Sequence, residues 1–242
     1  MDRLGFTAMS AAARTMQALQ VKANNLANVS TTGFRADIER AVVREVEGQG
    51  YASRFMTEMQ NNGVNMQPGT MMPTGRELDF AIRGPGLIAL QDGEAERYTR
   101  NGSLQVDANL MLTLNGRPVL GQGGPIQLPE YDSLTIGNDG TVSVIPRGDY
   151  LTAEVDRIRL VEIDPADLVK DESGLLMSKT GQAGEPAETT TLVAGFLEGS
   201  NVSAINELVG TMSLSRLFEA QVKMMKAAED TSGAGNRLIR GS

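Results

Sequence analysis

The chain has 242 residues, a formal net charge of −8, and 40% hydrophobic against 21% charged residues. That is enough apolar material for a packed core, with no basic excess to hold nucleic acid. It contains no cysteine and no histidine, which removes disulfides, thiolate nucleophiles, imidazole bases and the usual zinc sets together.

The first residues, Met1-Asp2-Arg3-Leu4-Gly5-Phe6, lack the basic start and apolar run of a cleavable secretory signal. No apolar stretch approaches the roughly 20 residues that span a bilayer, so membrane insertion is not expected. Leu4 to Ala27 holds no proline and one glycine, and is dominated by the helix formers Ala, Met, Leu and Gln. Met9, Ala12, Met16, Leu19, Ala23 and Leu26 fall at spacings of 3, 4, 3, 4 and 3, a narrow heptad-like seam built partly of small side chains. The helix is expected to stop near Asn28, before the breaker run Ser30-Thr31-Thr32-Gly33. Asn24, Asn25 and Asn28 compete for backbone groups inside a helix, so they are expected either to bond between subunits or to cap the helix end. Gly33 is expected to supply a positive φ.

Residues 34–75 read as an extended connector with room for one strand or hairpin, with a charged stretch over Arg35–Glu47. Breaks are expected at Gly48-Gln49-Gly50, Asn61-Asn62-Gly63 and Gln67-Pro68-Gly69. From 76 to 197 the apolar period falls to two and turns become frequent. Strands are expected at Leu78–Arg83, Leu87–Gln91, Arg97–Asn101, Leu104–Val106, Met111–Leu114, Thr135–Ile136, Thr141–Ile145, Val155–Ile163 and Leu175–Met177, making a compact all-β domain. Asp164-Pro165-Ala166-Asp167 reads as a single helical turn.

Val202 to Glu229 is again free of proline, with Ser200 or Asn201 as the expected N-cap and Glu207 near the positive end of the helix dipole. Val202, Ile205, Leu208, Val209 and Met212 form one apolar set; the register then shifts to Leu214, Leu217, Phe218, Val222 and Met225. Thr231 to Ser242 is expected to fray. The fold class expected is α+β: terminal helices paired as a coiled-coil-like unit, a linker, and a central β domain. Pattern alone leaves open whether the seam is buried within one chain or among several, and whether Met9, Met16, Met212 and Met225 fill a core or an interface.

Four motifs then point to a family. Asn24-Asn25-Leu26-Ala27-Asn28-Val29-Ser30-Thr31-Thr32-Gly33-Phe34 resembles the N-terminal motif of the flagellar rod and hook axial proteins. Thr74-Gly75-Arg76-Glu77-Leu78-Asp79-Phe80 through Gly84-Pro85-Gly86 is similar to the start of that family's β domain. Arg97-Tyr98-Thr99-Arg100-Asn101-Gly102-Ser103-Leu104 matches its next block, and Leu197-Glu198-Gly199-Ser200-Asn201-Val202 its approach to the C-terminal helix. The run Arg216 to Met225 resembles the proximal-rod branch, with the distal-rod branch as the alternative. Two departures are Leu87-Ile88, where an aromatic pair is usual, and Leu110, where a glycine is common.

The resemblance implies segments 1–33 and 198–242 as an inner tube, 34–75 as a linker and 76–197 as an outer β domain. It also implies export by the flagellar type III apparatus without a cleaved signal, and a periplasmic rod position. The implied partners are copies of the same chain and other proximal and distal rod subunits, with no cofactor and no catalysis. Interface residues are then expected at Met9, Ala12, Met16, Leu19, Ala23, Asn24, Asn25, Leu26, Asn28, Val202, Ile205, Leu208, Val209, Met212, Leu217, Phe218, Val222 and Met225. Turns are expected at Gly33, Phe34, Gly75, Gly84 and Gly86. The competing readings are a carboxylate hydrolase, for which Asp92, Glu94 and Glu96 are better read as solvated surface, and a non-catalytic module whose β domain grips a polymer such as the cell wall. The Asn-X-Ser tripeptides at 28, 101 and 201 are too short to count.

Overall fold

The computed structural model describes residues 2–45 and 55–240. Among these, one helix, eighteen short strands and a second helix follow in sequence, an α+β chain. It divides into two compact units: Met1–Ala27, Glu39–Asn61 and Ser203–Ser242 in the first, Asn28–Ile38 and Asn62–Val202 in the second.

In the first unit α1 (Asp2–Ala27) and α2 (Ala204–Arg240) pack antiparallel. The Thr15 hydroxyl meets the Gln221 side chain at 3.0 Å, and Lys22 Nζ pairs with Glu207 Oε2 at 3.0 Å. Thr15 also reaches the Ala11 carbonyl at 3.0 Å. A hydroxyl has one proton, so both contacts are satisfied when the Gln221 amide presents its NH2 to Thr15. The buried line on α1 is Ala8, Ala12, Thr15 and Ala18. Facing it on α2 are buried Glu207 and Gln221 with half-buried Leu214, Phe218 and Met225 between and beyond them. Small residues on one helix therefore receive large ones from the other.

The second apolar set of α2 is divided: Leu214, Phe218 and Met225 are half-buried, whereas Leu217 and Val222 are exposed, as are Ile205, Leu208, Val209 and Met212 of the first set. Two expectations for α2 are corrected. The helix continues through Thr231, Gly233 and Gly235 to Arg240, with the Thr231 hydroxyl donating to the Ala227 carbonyl at 2.7 Å. Its first residue is Ala204, and the Ser203 carbonyl accepts from Glu207 N at 3.0 Å; Ser200 and Asn201 lie before it.

The connector region holds a two-stranded sheet, Asp37–Glu45 with Phe55–Val64, and the strand Met71–Pro73. The second of these strands runs through Asn61-Asn62-Gly63, where a break was expected, while Gly48-Gln49-Gly50 lies outside the described residues.

The second unit is built on a six-stranded antiparallel sheet. Its spatial order is Leu168–Lys170, Leu176–Ser178, Ala95–Thr99, Leu87–Asp92, Leu160–Glu162, Glu185–Pro186. Leu87–Asp92 is central and buried on both faces, which is why it reads as a continuous apolar run. Ile88 and Leu90 enter the cluster of Phe80, Leu104, Leu112, Val119 and Ile158, whereas Leu87 and Ala89 enter that of Tyr98, Val161, Leu168 and Leu176. The expected strand Val155–Ile163 is two: Ala153–Arg157 pairs with Thr141–Pro146, and Leu160–Glu162 pairs with Leu87 and Ile88. The chain changes sheets at Ile158 and Arg159, whose N–H groups bond to Gly140 and Leu120. Asp164 to Asp167 closes a turn through Asp167 N and the Asp164 carbonyl at 2.9 Å, and is not helical.

Leu110 has a φ of 61°, the left-handed conformation that the usual glycine would adopt without strain. Its half-buried side chain packs on the larger cluster, and Asp107 closes the turn by accepting from Asn109 N and Met111 N at 2.9 and 2.8 Å.

Asp171 anchors a second such loop, accepting from Ser173 N, Ser173 Oγ and Leu175 N at 2.7–2.9 Å and from Arg97 Nε at 3.1 Å. Burial alone would raise its carboxyl; the Ser173, Leu175 and Arg97 bonds outweigh it and hold it below the usual aspartate value. A folded value below the unfolded one contributes stability that is complete above about pH 3.9 and lost as pH falls through the folded value. Asp171→Ala is expected to cost about 1–3 kcal/mol at neutral pH. Urea melts of both proteins across the acid range will show the gap close once Asp171 is protonated; a gap that stays constant contradicts this account.

Candidate functional site

Residues of the four sequence motifs meet in the second unit around one buried glutamate, Glu198: Arg100 bonds its carboxylate and the carbonyls of Ile82, Gly84 and Gly86, and Gly33 N reaches its backbone carbonyl. Arg35 Nη2 donates to Glu198 Oε1 at 2.6 Å, Arg100 Nε to Oε2 at 2.9 Å, and Gly69 N to Oε1 at 2.8 Å. The three charged side chains are each 3% exposed or less. Two guanidiniums and one carboxylate leave an excess positive charge. Arg100 places it on three carbonyl dipoles, those of Ile82, Gly84 and Gly86, at 2.6–2.8 Å. Burial lowers Arg100 from its ordinary value, with Glu198 opposing and the like charge of Arg35 adding. Arg35 is held less fully: its Nε and Nη1 find no acceptor among the described residues.

Around this triad the segment following α1 and the segment preceding α2 are tied together. Gly33 N donates to the Glu198 carbonyl at 2.7 Å, and Asn201 N to the Phe34 carbonyl at 3.3 Å. The Asn201 amide, expected to cap a helix, instead accepts from Ala36 N at 2.7 Å and donates to the carbonyls of Asn65 and Gln67 at 2.8 and 2.9 Å. Lys170 Nζ lies 3.7 Å above the Phe34 ring and 3.0 Å from Asp37. Burial lowers Lys170 below the ordinary lysine value against the opposing charge of Asp37.

Gly33, Gly75 and Gly84 have positive φ. Gly86 lies against Thr190, whose hydroxyl accepts from Gly86 N at 3.0 Å. Asn28 closes a turn, its carbonyl accepting from Thr31 N at 3.2 Å and its Oδ1 from the Thr31 hydroxyl at 3.1 Å.

The other named residues lie on the helices or just before α2. Ala12 and Asn25 are buried; Leu19, Leu26, Val202, Phe218 and Met225 are half-buried; Ala23 and Asn24 are exposed. Met9, Met16, Ile205, Leu208, Val209, Met212, Leu217 and Val222 are 41–74% exposed, as is Met224. The expected α1 seam is thus split, with Ala12 facing α2 while Met9 and Met16 face away.

Sequence reasoning did not single out Arg35, Arg100, Glu198 or Lys170. The one local sign was a charge set among small and apolar residues, as in Leu197-Glu198-Gly199. Of the acids considered for chemistry, Asp92 pairs with Arg117 at 3.1 Å and Glu96 with Arg159 at 2.7 Å, both pairs partly exposed, and Glu94 is exposed.

Two long helices that keep large apolar residues exposed, and a β unit tied by a buried ion triad, are the features of a structural subunit. Three family models agree. The one for flagella basal body rod protein matches residues 7–35, that for the flagellar hook protein FlgE/F/G D1 domain 81–144, and that for flagellar basal body rod FlgEFG protein C-terminal 193–238. The chain is similar to the flagellar basal-body rod protein FlgF of Escherichia coli, at 38% identity with 99% of each chain covered. The FlgF of Caulobacter vibrioides is 32% identical with 98% of each covered. The rod protein FlgG of Bacillus subtilis is 31% identical over 88% of this chain and 89% of that one. The chain belongs to the flagellar basal-body rod protein FlgF family and is a structural subunit of the basal-body rod.

Proposed function

We propose that the chain assembles helically in the proximal part of the rod, docking on copies of itself and on other rod subunits through the outward faces of α1 and α2, and so passes torque from motor to hook. The carrying observation is that, among the described residues, nine large apolar side chains on the two helices remain exposed after the helices have packed together. Ile205, Leu208, Val209 and Met212 fall at i, i+3, i+4 and i+7, one stripe of a helix. Met9 and Met16 form a different patch on α1, so contacts between unlike faces repeat without closing, as a filament requires. In this reading α1 and α2 supply the inner tube, and the β unit an outer layer whose Glu198 triad holds together the two segments adjoining the helices. The 38% identity to the FlgF of Escherichia coli over 99% of the chain, against 31% over 88% to the FlgG of Bacillus subtilis, supports the proximal position. A chain without cysteine suits passage, unfolded, through the type III export apparatus.

The test is the double variant Leu208→Glu with Met212→Glu. Both sites are half-exposed or more, so the melting temperature is expected to stay put while the protein disappears from purified hook–basal bodies and swimming is lost. Incorporation at the unsubstituted level, measured by mass spectrometry of those particles, sinks the proposal.

A further inference from the structure

The chain has no cysteine, so its thioethers are its only sulfur chemistry. Of 13 methionines, Met9, Met16, Met212 and Met224 sit on α1 and α2 at 45–58% exposure. Met225, beside Met224 but turned toward α1, is half-buried, as are Met66, Met111 and Met177 in the β unit. Met71 and Met72 of the β unit are exposed to 38% and 41%, but lie on a strand and not on the helix faces.

We propose that Met9, Met16, Met212 and Met224 form a peroxide-sensitive modification site whose oxidation closes the docking surface of the unassembled subunit. In each, the thioether sulfur attacks one peroxide oxygen. The S–O bond forms as the O–O bond breaks, sulfur is oxidised by two electrons to the sulfoxide, and the peroxide leaves as water. The product places a strong acceptor on a face that docks by losing water, and nothing in an apolar contact donates to it. Access matches need: the four sulfurs are open only before assembly. Sulfoxide reductases reverse the change, so the block is not permanent. The inference rests on the docking role proposed for these helix faces.

The experiment treats the full chain with hydrogen peroxide, maps one-oxygen mass gains by peptide mass spectrometry, and measures self-association by sedimentation velocity. The four helix methionines are expected to oxidise ahead of Met66, Met111, Met177 and Met225. The oxidised chain is expected to associate roughly tenfold more weakly at unchanged helix content, the cost of burying one unpaired polar group per contact. Leucine replaces methionine at nearly constant volume, so the pair variants M9L/M16L and M212L/M224L should associate normally and, combined, ignore peroxide. Protection by M71L/M72L instead, equal oxidation of the half-buried methionines, or undiminished association of the oxidised chain overturns the inference. Failure of the untreated chain to associate removes the docking role first, and the inference with it.

Discussion

Glu198→Leu is expected to destabilise the β unit by about 3–5 kcal/mol, because it leaves two buried guanidiniums facing an apolar side chain. Arg35 would lose its single observed bond, and Gly69 N its acceptor. At roughly 2–4 °C per kcal/mol for a unit of this size, the calorimetric transition should fall by about 6–20 °C. A fall under about 3 °C would mean the triad is solvated or dispensable. The exposed pair Arg147–Glu130, 3.6 Å apart, is the control, and Arg147→Ala should leave the transition in place. The two arginines are also unequal. Arg100→Met strips the donor from three carbonyls, whereas Arg35→Met removes one bond, so the first should be the worse variant.

The second large effect separates strain from crowding. Gly33 and Gly75 share a φ of +70°. A Cβ on Gly75 meets nothing within 4 Å, so Gly75→Ala should carry only the left-handed penalty, about 1–2 kcal/mol. A Cβ on Gly33 would overlap the backbone of Arg100 and Asn101, which cannot swing aside as a side chain tip can. Gly33→Ala should therefore cost about 3 kcal/mol or more, the overpacking adding to the same torsional penalty. Equal losses in denaturant melts would show that the approach of residue 33 to the Arg100–Asn101 backbone is loose. Gly33 N also donates to the Glu198 carbonyl, so a Gly33→Ala, Glu198→Leu double variant should lose less than the sum of its parts.

What the sequence determined by itself is local. Two long stretches almost free of proline and glycine, with apolar residues three and four apart, mark the two helices. Asn-Gly and Asp-Gly turns between alternating runs mark most of the β unit. The four motifs, read in order, carried the family. Tertiary structure decided the rest. Ala8-Ala12-Thr15-Ala18 and Met9-Ala12-Met16-Leu19 are both helical stripes, about one residue apart in phase. Only the partner helix, meeting Thr15 with Gln221 and Lys22 with Glu207, selects the first as the inner face and leaves Met9 and Met16 outward. Short strands such as Phe196–Glu198 and Leu168–Lys170 have no period of their own and exist because Met71–Pro73 and Leu176–Ser178 lie alongside. The Glu198 triad joins residues 98 and 163 positions apart. A buried charge is tolerable only where the folded chain brings its counter-charge, and no local pattern in a sequence records that meeting.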